Sequence, residues 1–199
     1  MRTAYVLLGL AWIIIIAAGA YAFNHSFTGS GDTESRRVHT STMSSTLILT
    51  SSAFKNDGAI PVQCTCDGDQ ISPPLSIDGV PEGAKSLALI MRDIDVPRQF
   101  NTGGEFVHWM LYAIPPDTKE IPVGKPLGVI GENGAGKPTY TGPCPPPQYE
   151  PSEHRYNLTL YALDRELQFE GSPTKAQLLA AMEGHIVAQT QLIGTYKRN

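Results

Sequence analysis

Basic runs, an even complement of cysteines and a nucleophile motif are all missing from this chain, and each absence removes a class of function. Lys and Arg cluster nowhere, and from Thr46 onward twelve of them face seventeen Asp and Glu, a net charge of −5. A surface of that sign does not neutralise phosphate backbones, so nucleic-acid partners are excluded. Only three cysteines occur, Cys64, Cys66 and Cys144. An odd number cannot all pair internally; Cys64 and Cys66 are too close in sequence to bridge each other without strain, and either of them can pair with Cys144. Three cysteines are too few for a disulfide framework. No G-x-S-x-G elbow is present, and no Ser stands in a nucleophile motif. Charged residues make up only 17% of the chain, and no internal repeat is found.

What remains is globular. The chain has 199 residues, of which 41% are hydrophobic, enough for one folded domain and a tail. Sixteen prolines and nineteen glycines point to turn-rich, strand-dominated architecture rather than a helix bundle. Residues 1–22 carry an uncharged apolar run, Ala4 to Ala22, after a single Arg2. Nineteen residues of helix would span roughly 28 Å, about the thickness of a bilayer core. Ala18-Gly19-Ala20 and Ala20-Tyr21-Ala22 each fit a small-x-small cleavage site, so the segment is either an uncleaved anchor or a cleaved signal. No Cys follows it, which excludes a bacterial lipoprotein. Arg36 and Arg37 beyond the run oppose Arg2, so charge orients it only weakly. Residues 23–45 are polar and rich in Ser, Thr and Gly, and read as a flexible tether. Residues 46–199 form the domain, expected outside the cytoplasm on its anchor, or secreted. Translation from Met43 would instead make the protein cytosolic.

Within the domain, Ser86 to Arg92 is almost continuously apolar, as a strand buried on both faces would be. Val107 to Ile114 is similar; strict alternation puts Val107, Trp109, Leu111 and Ala113 on one face and His108, Met110, Tyr112 and Ile114 on the other. From Arg155 to Leu163, Tyr156, Leu158, Leu160 and Ala162 share a face. One helix is predicted from Thr174 to about Ala188, opened by a Thr174–Gln177 capping box, with Leu178, Met182 and Ile186 as its core stripe. Gln191 to Lys197 closes the chain as a last strand.

Four constellations could carry chemistry. Gly131 to Lys137 matches the opening of a phosphate-binding P-loop, but Pro138 stands where a Ser or Thr must hold magnesium, and proline supplies no N–H and obstructs the helix required next. Nucleotide hydrolysis is therefore rejected. Asp93 and Asp95, before Pro97, end a buried strand; two residues apart in extended chain they point the same way, share a site, and one resists ionisation. The bland reading is a pair of turn-forming aspartates. His108 lies inside an apolar run, where a lone His is more often a satisfied core residue. Gly142-Pro143-Cys144 and three further prolines form a rigid wall just before His154-Arg155-Tyr156, whose His and Tyr offer donors to an oxyanion.

Singly weak, these residues together resemble the signature of the phosphatidylethanolamine-binding protein family: Asp93-x-Asp95-x-Pro97, His108, Gly142-Pro143 and His154-Arg155-Tyr156, in that order. Cys66-Asp67-Gly68, Val107-His108-Trp109-Met110 and Gly184-His185-Ile186 resemble its prokaryotic branch, related to the Raf kinase inhibitor proteins. The resemblance implies a mainly β fold, a central sheet packed on a smaller one with peripheral helix. It implies a pocket of Asp93, Asp95, His108, Gly142, Pro143, His154 and Tyr156 that takes a small anion such as phosphate or a phosphoethanolamine headgroup. It implies no cofactor, no metal and no catalytic residue, and a protease or kinase as protein target. The alternative is a metal-dependent or acid–base enzyme built on the same His and Asp groups.

Overall fold

The computed structural model describes residues 46–198. The apolar run, its reading as anchor or signal, and the tether lie outside the described residues. Among those described, no helix is long and apolar enough to cross a membrane.

Among the described residues, nine strands and one α-helix follow in chain order, with a short 3-10 turn at Val62–Cys64 after the second strand. They are β1 (Ile48–Thr50), β2 (Gly58–Ala59), β3 (Leu75–Asp78), β4 (Ser86–Asp93), β5 (Phe106–Ile114), β6 (Glu120–Ile121), β7 (Val129–Ile130), β8 (Glu153–Leu163), α1 (Lys175–Met182) and β9 (Ile186–Lys197). They build two sheets: a small one in the order β1-β3-β6, and a six-stranded one in the order β2-β9-β8-β4-β5-β7. The expected mainly β architecture of a larger sheet on a smaller one is therefore what the chain adopts.

Strand β4 sits near the middle of the large sheet, antiparallel to β5 on one side and β8 on the other. Seven of its eight residues are buried, as its unbroken apolar sequence requires. Leu87, Leu89 and Met91 join the larger core, which Leu49, Leu75, Ile77 and Ile121 of the small sheet close from above. Ala88 and Ile90 face the opposite way, into a second core closed by Leu178 and Met182 of α1 together with Leu167. One sheet thus carries a sheet on one face and a helix on the other. On β8, Tyr156, Leu158, Leu160 and Ala162 share the larger core as their alternation predicts.

Strict alternation fails on β5. Two register shifts interrupt its pairing with β4. Met91 pairs with Trp109 and Arg92 with Val107, so His108 is an extra residue; Leu87 pairs with Ile114 and Leu89 with Leu111, so Tyr112 and Ala113 together oppose Ala88. A bulge puts two residues opposite one and changes which face follows. Hence Ile114 joins Trp109 and Leu111 in the larger core, whereas Ala113 and Val107 pack with Met110 and Tyr112 in the smaller one. Ala113, at the second of these irregularities, has φ 51°, in the left-handed region that one class of bulge uses.

The helix is shorter than its sequence pattern. The Thr174–Gln177 capping box forms, and Leu178 and Met182 are buried as expected. At Gly184 the chain turns with φ 76°. That conformation suits glycine and ends the helix. Ile186, expected in the helical core stripe, is instead 42% exposed at the start of β9. The last strand begins five residues before the expected Gln191 because these residues find backbone partners along β8, with Leu163 opposite Ile186. The P-loop-like segment is a tight turn: the Asn133 side-chain carbonyl accepts from the N–H groups of Ala135 and Lys137, and its amide donates to Thr139 and Thr141.

Candidate functional site

The site forms where β4, β5 and β8 end together. Residues 154 and 156 are two apart on β8, so they share the face that points to the larger core. Asp93 is the last residue of β4 and pairs with Tyr156. His108 reaches the same face through its bulge, since the two residues opposing one lean to the same side. Its ring lies edge-on to Tyr156, with centroids 5.2 Å apart, and edge-on to Phe106 at 5.0 Å. The wall is the proline-rich loop. Its prolines at 143, 145, 146 and 147 carry no N–H, so it can offer backbone donors only at Gly142 and Cys144.

A cavity of about 290 Å³ results, lined by Asp93, His108 and His154 at the floor, and by Val96, Pro97, Phe100, Phe106 and the 141–146 loop at the walls. No Lys or Arg lines it. The floor is tightly organised. His154 is 1% exposed, and its Nδ1 lies 2.7 Å from Asp93 Oδ2. A carboxylate accepts, so Nδ1 carries the proton and Nε2 is left with a lone pair, becoming a donor only when the ring is protonated. The other Asp93 oxygen accepts the Asp95 N–H at 2.9 Å. His108 Nδ1 donates to the Thr141 carbonyl at 2.7 Å, which fixes its tautomer as well. Burial pushes the His108 pKa down, against the smaller pull of that hydrogen bond and of Asp93.

Two buried polar atoms, His154 Nε2 in the floor and the Tyr156 hydroxyl behind it, have no hydrogen-bond partner among the described residues. Burial first, and then the neighbouring Asp93 carboxylate, push the Tyr156 phenol well above its usual range, so it stays a neutral O–H donor. Asp93 is near enough to act on that phenol both electrostatically and as a loose hydrogen-bond acceptor, yet the geometry of a full hydrogen bond between them is not met.

The expected residues divide into three groups. Asp93, His108, Gly142 and His154 line the cavity, and Tyr156 packs behind its floor. Gly142 has a second duty: a Cβ there would stand 2.8 Å from the backbone of Cys64 and Thr65, so the loop reaches its position only with glycine. Pro143 positions the wall rather than lining it; its carbonyl accepts the Cys66 N–H at 3.1 Å. The Cys66–Cys144 disulfide pins the same wall, and Cys64 is the buried free thiol.

The expected sharing of one site by Asp93 and Asp95 is not what forms. β4 ends at Asp93, and the chain turns there, so the two-residue periodicity that would align the carboxylates no longer applies. Asp95 instead accepts three hydrogen bonds from Arg155, two from the guanidinium and one from its backbone N–H, and borders a separate cavity. That guanidinium holds its carboxyl below the usual range, the reverse of a carboxylate resisting ionisation. Val96, Phe100, Phe106 and Thr141 were not expected at the site. Phe106 two residues before His108 is a signal that the bulge conceals, whereas Phe100 comes from a loop without periodicity. No group of three or more His, Cys, Asp or Glu among the described residues is arranged to hold a metal ion.

Two sheets, with a polar-floored pocket at the end of the larger one, define a β protein whose site is assembled by strand ends and one stapled loop. A family profile described as phosphatidylethanolamine-binding protein matches residues 50–197. A UPF0098 protein of Chlamydia pneumoniae is 43% identical over 152 residues, covering 76% of this chain and 99% of the relative. One from Methanothermobacter thermautotrophicus is 45% identical over 157 residues, covering 75% and 98%. Among solved structures, a phosphatidylethanolamine-binding protein homolog of Chlamydia trachomatis superposes with a TM-score of 0.74 at 43% identity, over 78% of this chain and all of that one. YbcL of E. coli, described as a member of the mammalian family, superposes with a TM-score of 0.68 at 27% identity, over 77% and 99%. The chain belongs to the phosphatidylethanolamine-binding protein family.

Proposed function

We propose that the domain is a binding module for small organic or inorganic anions, phosphate and the phosphoethanolamine headgroup among them, and that it acts without catalysis. One observation carries this reading: two buried polar atoms, His154 Nε2 in the floor and the Tyr156 hydroxyl just behind it, lack partners among the described residues. Unpaired buried polar groups are costly, and an oxyanion accepting from both would relieve that cost. Asp93 then orients the His154 ring and balances its charge when protonated, as outer partners of histidine ligands do. Protonation turns Nε2 from acceptor to donor, so anion affinity is expected to be higher at pH 5 than at pH 8. The family's inhibitory members suggest a protein target whose acidic or phosphorylated group enters the pocket, and an exported domain would meet proteases.

The solved relative from Chlamydia trachomatis lies entirely within the region matched here. The corresponding residues therefore fold on their own, and residues 43–199 are a suitable test protein. Titration calorimetry with phosphate and phosphoethanolamine at pH 6 is expected to show binding that His154→Ala abolishes. Affinity that stays flat between pH 5 and 8 would remove the histidine donors from the account, and no binding by the wild type would remove the anion.

A further inference from the structure

Resting on the anion reading above, we infer that the pocket's ligand is a small soluble aryl acid: one oxyanion head on the floor at His154, with Tyr156 just behind, and one aromatic ring between the walls. Three observations lead there. The cavity is too large for the head alone. About 290 Å³ is available, and a cavity of about 150 Å³ already accommodates benzene. A ring and a small oxyanion fill it; the acyl chains of a lipid do not fit inside.

The walls have the chemistry of a ring site. Val96, Pro97, Phe100, Phe106, Pro145 and Pro146 present carbon to the cavity. The rings form a continuous edge-to-face series from wall to floor, Phe106 against His108 and His108 against Tyr156. At the mouth Phe100 meets Tyr149 edge-on, with centroids 4.7 Å apart, yet remains 55% exposed. A large apolar side chain held by one aromatic contact and otherwise open to water gains from an incoming ring, which can stack or meet edges on several sides.

Charge narrows the head. With no Lys or Arg on the lining, and Asp93 at the floor, the pocket has no fixed positive charge to hold a dianion. The only cationic state available there is a protonated histidine, one of which is already matched to Asp93. A bare inorganic dianion is therefore poorly held. A monoanion that also buries a ring draws most of its affinity from the walls.

Calorimetry at pH 6 on residues 43–199 tests this with methylphosphonate, phenylphosphonate and vesicles containing phosphatidylethanolamine, for wild type and Phe100→Ala. Phenylphosphonate is expected to bind about ten-fold or more tightly than methylphosphonate, and the ratio is expected to fall toward one in Phe100→Ala. Phe100 is exposed, so its replacement leaves the fold intact, and a circular dichroism melt verifies that. Equal binding of the two phosphonates, or a ratio indifferent to Phe100→Ala, overturns the inference and leaves the anion floor standing. Vesicle binding tighter than that of phenylphosphonate also overturns it, by making the occupant a lipid. If neither phosphonate binds, the anion reading falls and this inference with it.

Discussion

At the scale of single residues, the site is a set of atoms whose roles are fixed by what they already touch. Asp93 spends both oxygens inside the protein, one on His154 and one on the Asp95 N–H. Asp93→Ala strands both donors, and urea unfolding is expected to show a loss of about 1–3 kcal/mol. Tyr156→Phe removes an unpartnered hydroxyl, so stability should hold while phosphate affinity falls; equal affinity for the two proteins would take Tyr156 out of the site. His108 supplies a pH dependence of its own. Its pKa is lowered from 6.5 by burial, so the folded protein binds that proton less readily than the unfolded chain. The stability it contributes is therefore full above about pH 6.5 and is lost as pH falls through the lowered value. Urea midpoints measured from pH 7.5 down to 5 should drop, and His108→Asn, which can keep a donor toward Thr141, should flatten the decline. Of these roles the sequence revealed identities but not directions. Asp93, His108 and His154 are legible as polar residues placed against apolar runs. That Asp95 turns to Arg155 is not, because the two-residue rule holds only while the strand lasts.

At the scale of elements, long strands were the most readable parts. β4 and β8 needed only continuous or alternating apolar residues, and their observed bounds differ from the expected ones by one or two positions. β5 was readable in extent but not in facing, since a bulge leaves no trace in hydrophobicity when both faces are buried. The helix start was legible in Thr174 and Gln177 because capping is local chemistry; Thr174→Ala should cost about 1 kcal/mol in a thermal or urea melt. Its end was missed because the residues after Gly184 are claimed by β8, a competition that only tertiary pairing decides. The disulfide acts on the element scale too. It joins residues 78 apart in sequence and fastens the proline-rich wall to the turn after β2. Replacing Cys66 and Cys144 by serine should cost about 2–4 kcal/mol. It should also weaken phosphoethanolamine binding through a loosened wall; unchanged affinity would show that the prolines alone hold the pocket's shape.

At the scale of the whole molecule, the residues that line the cavity all lie within the region matched by the family, and we propose that the apolar run ahead of it serves as an address. The proposed address outside the cytoplasm agrees with a disulfide at the pocket wall, because such bonds persist in oxidising compartments. Fractionation of cells carrying the full chain and a chain begun at Met43 checks it. Membrane association with protease-accessible domain is expected only for the full chain; a soluble, protected full chain would make the protein cytosolic. The central sheet also says how the pocket could be lost. His108 stands at the floor because β5 has one residue more there than its neighbour β4. Deleting a single residue at that bulge, Val107 for example, would restore even pairing: Trp109 and the residues after it would keep their partners and faces, while His108 would take the register position opposite Arg92 and withdraw its imidazole from the floor. Binding is thus encoded in a count as much as in a composition: a lineage could discard the site by a three-nucleotide deletion while keeping nearly every residue that marks the family.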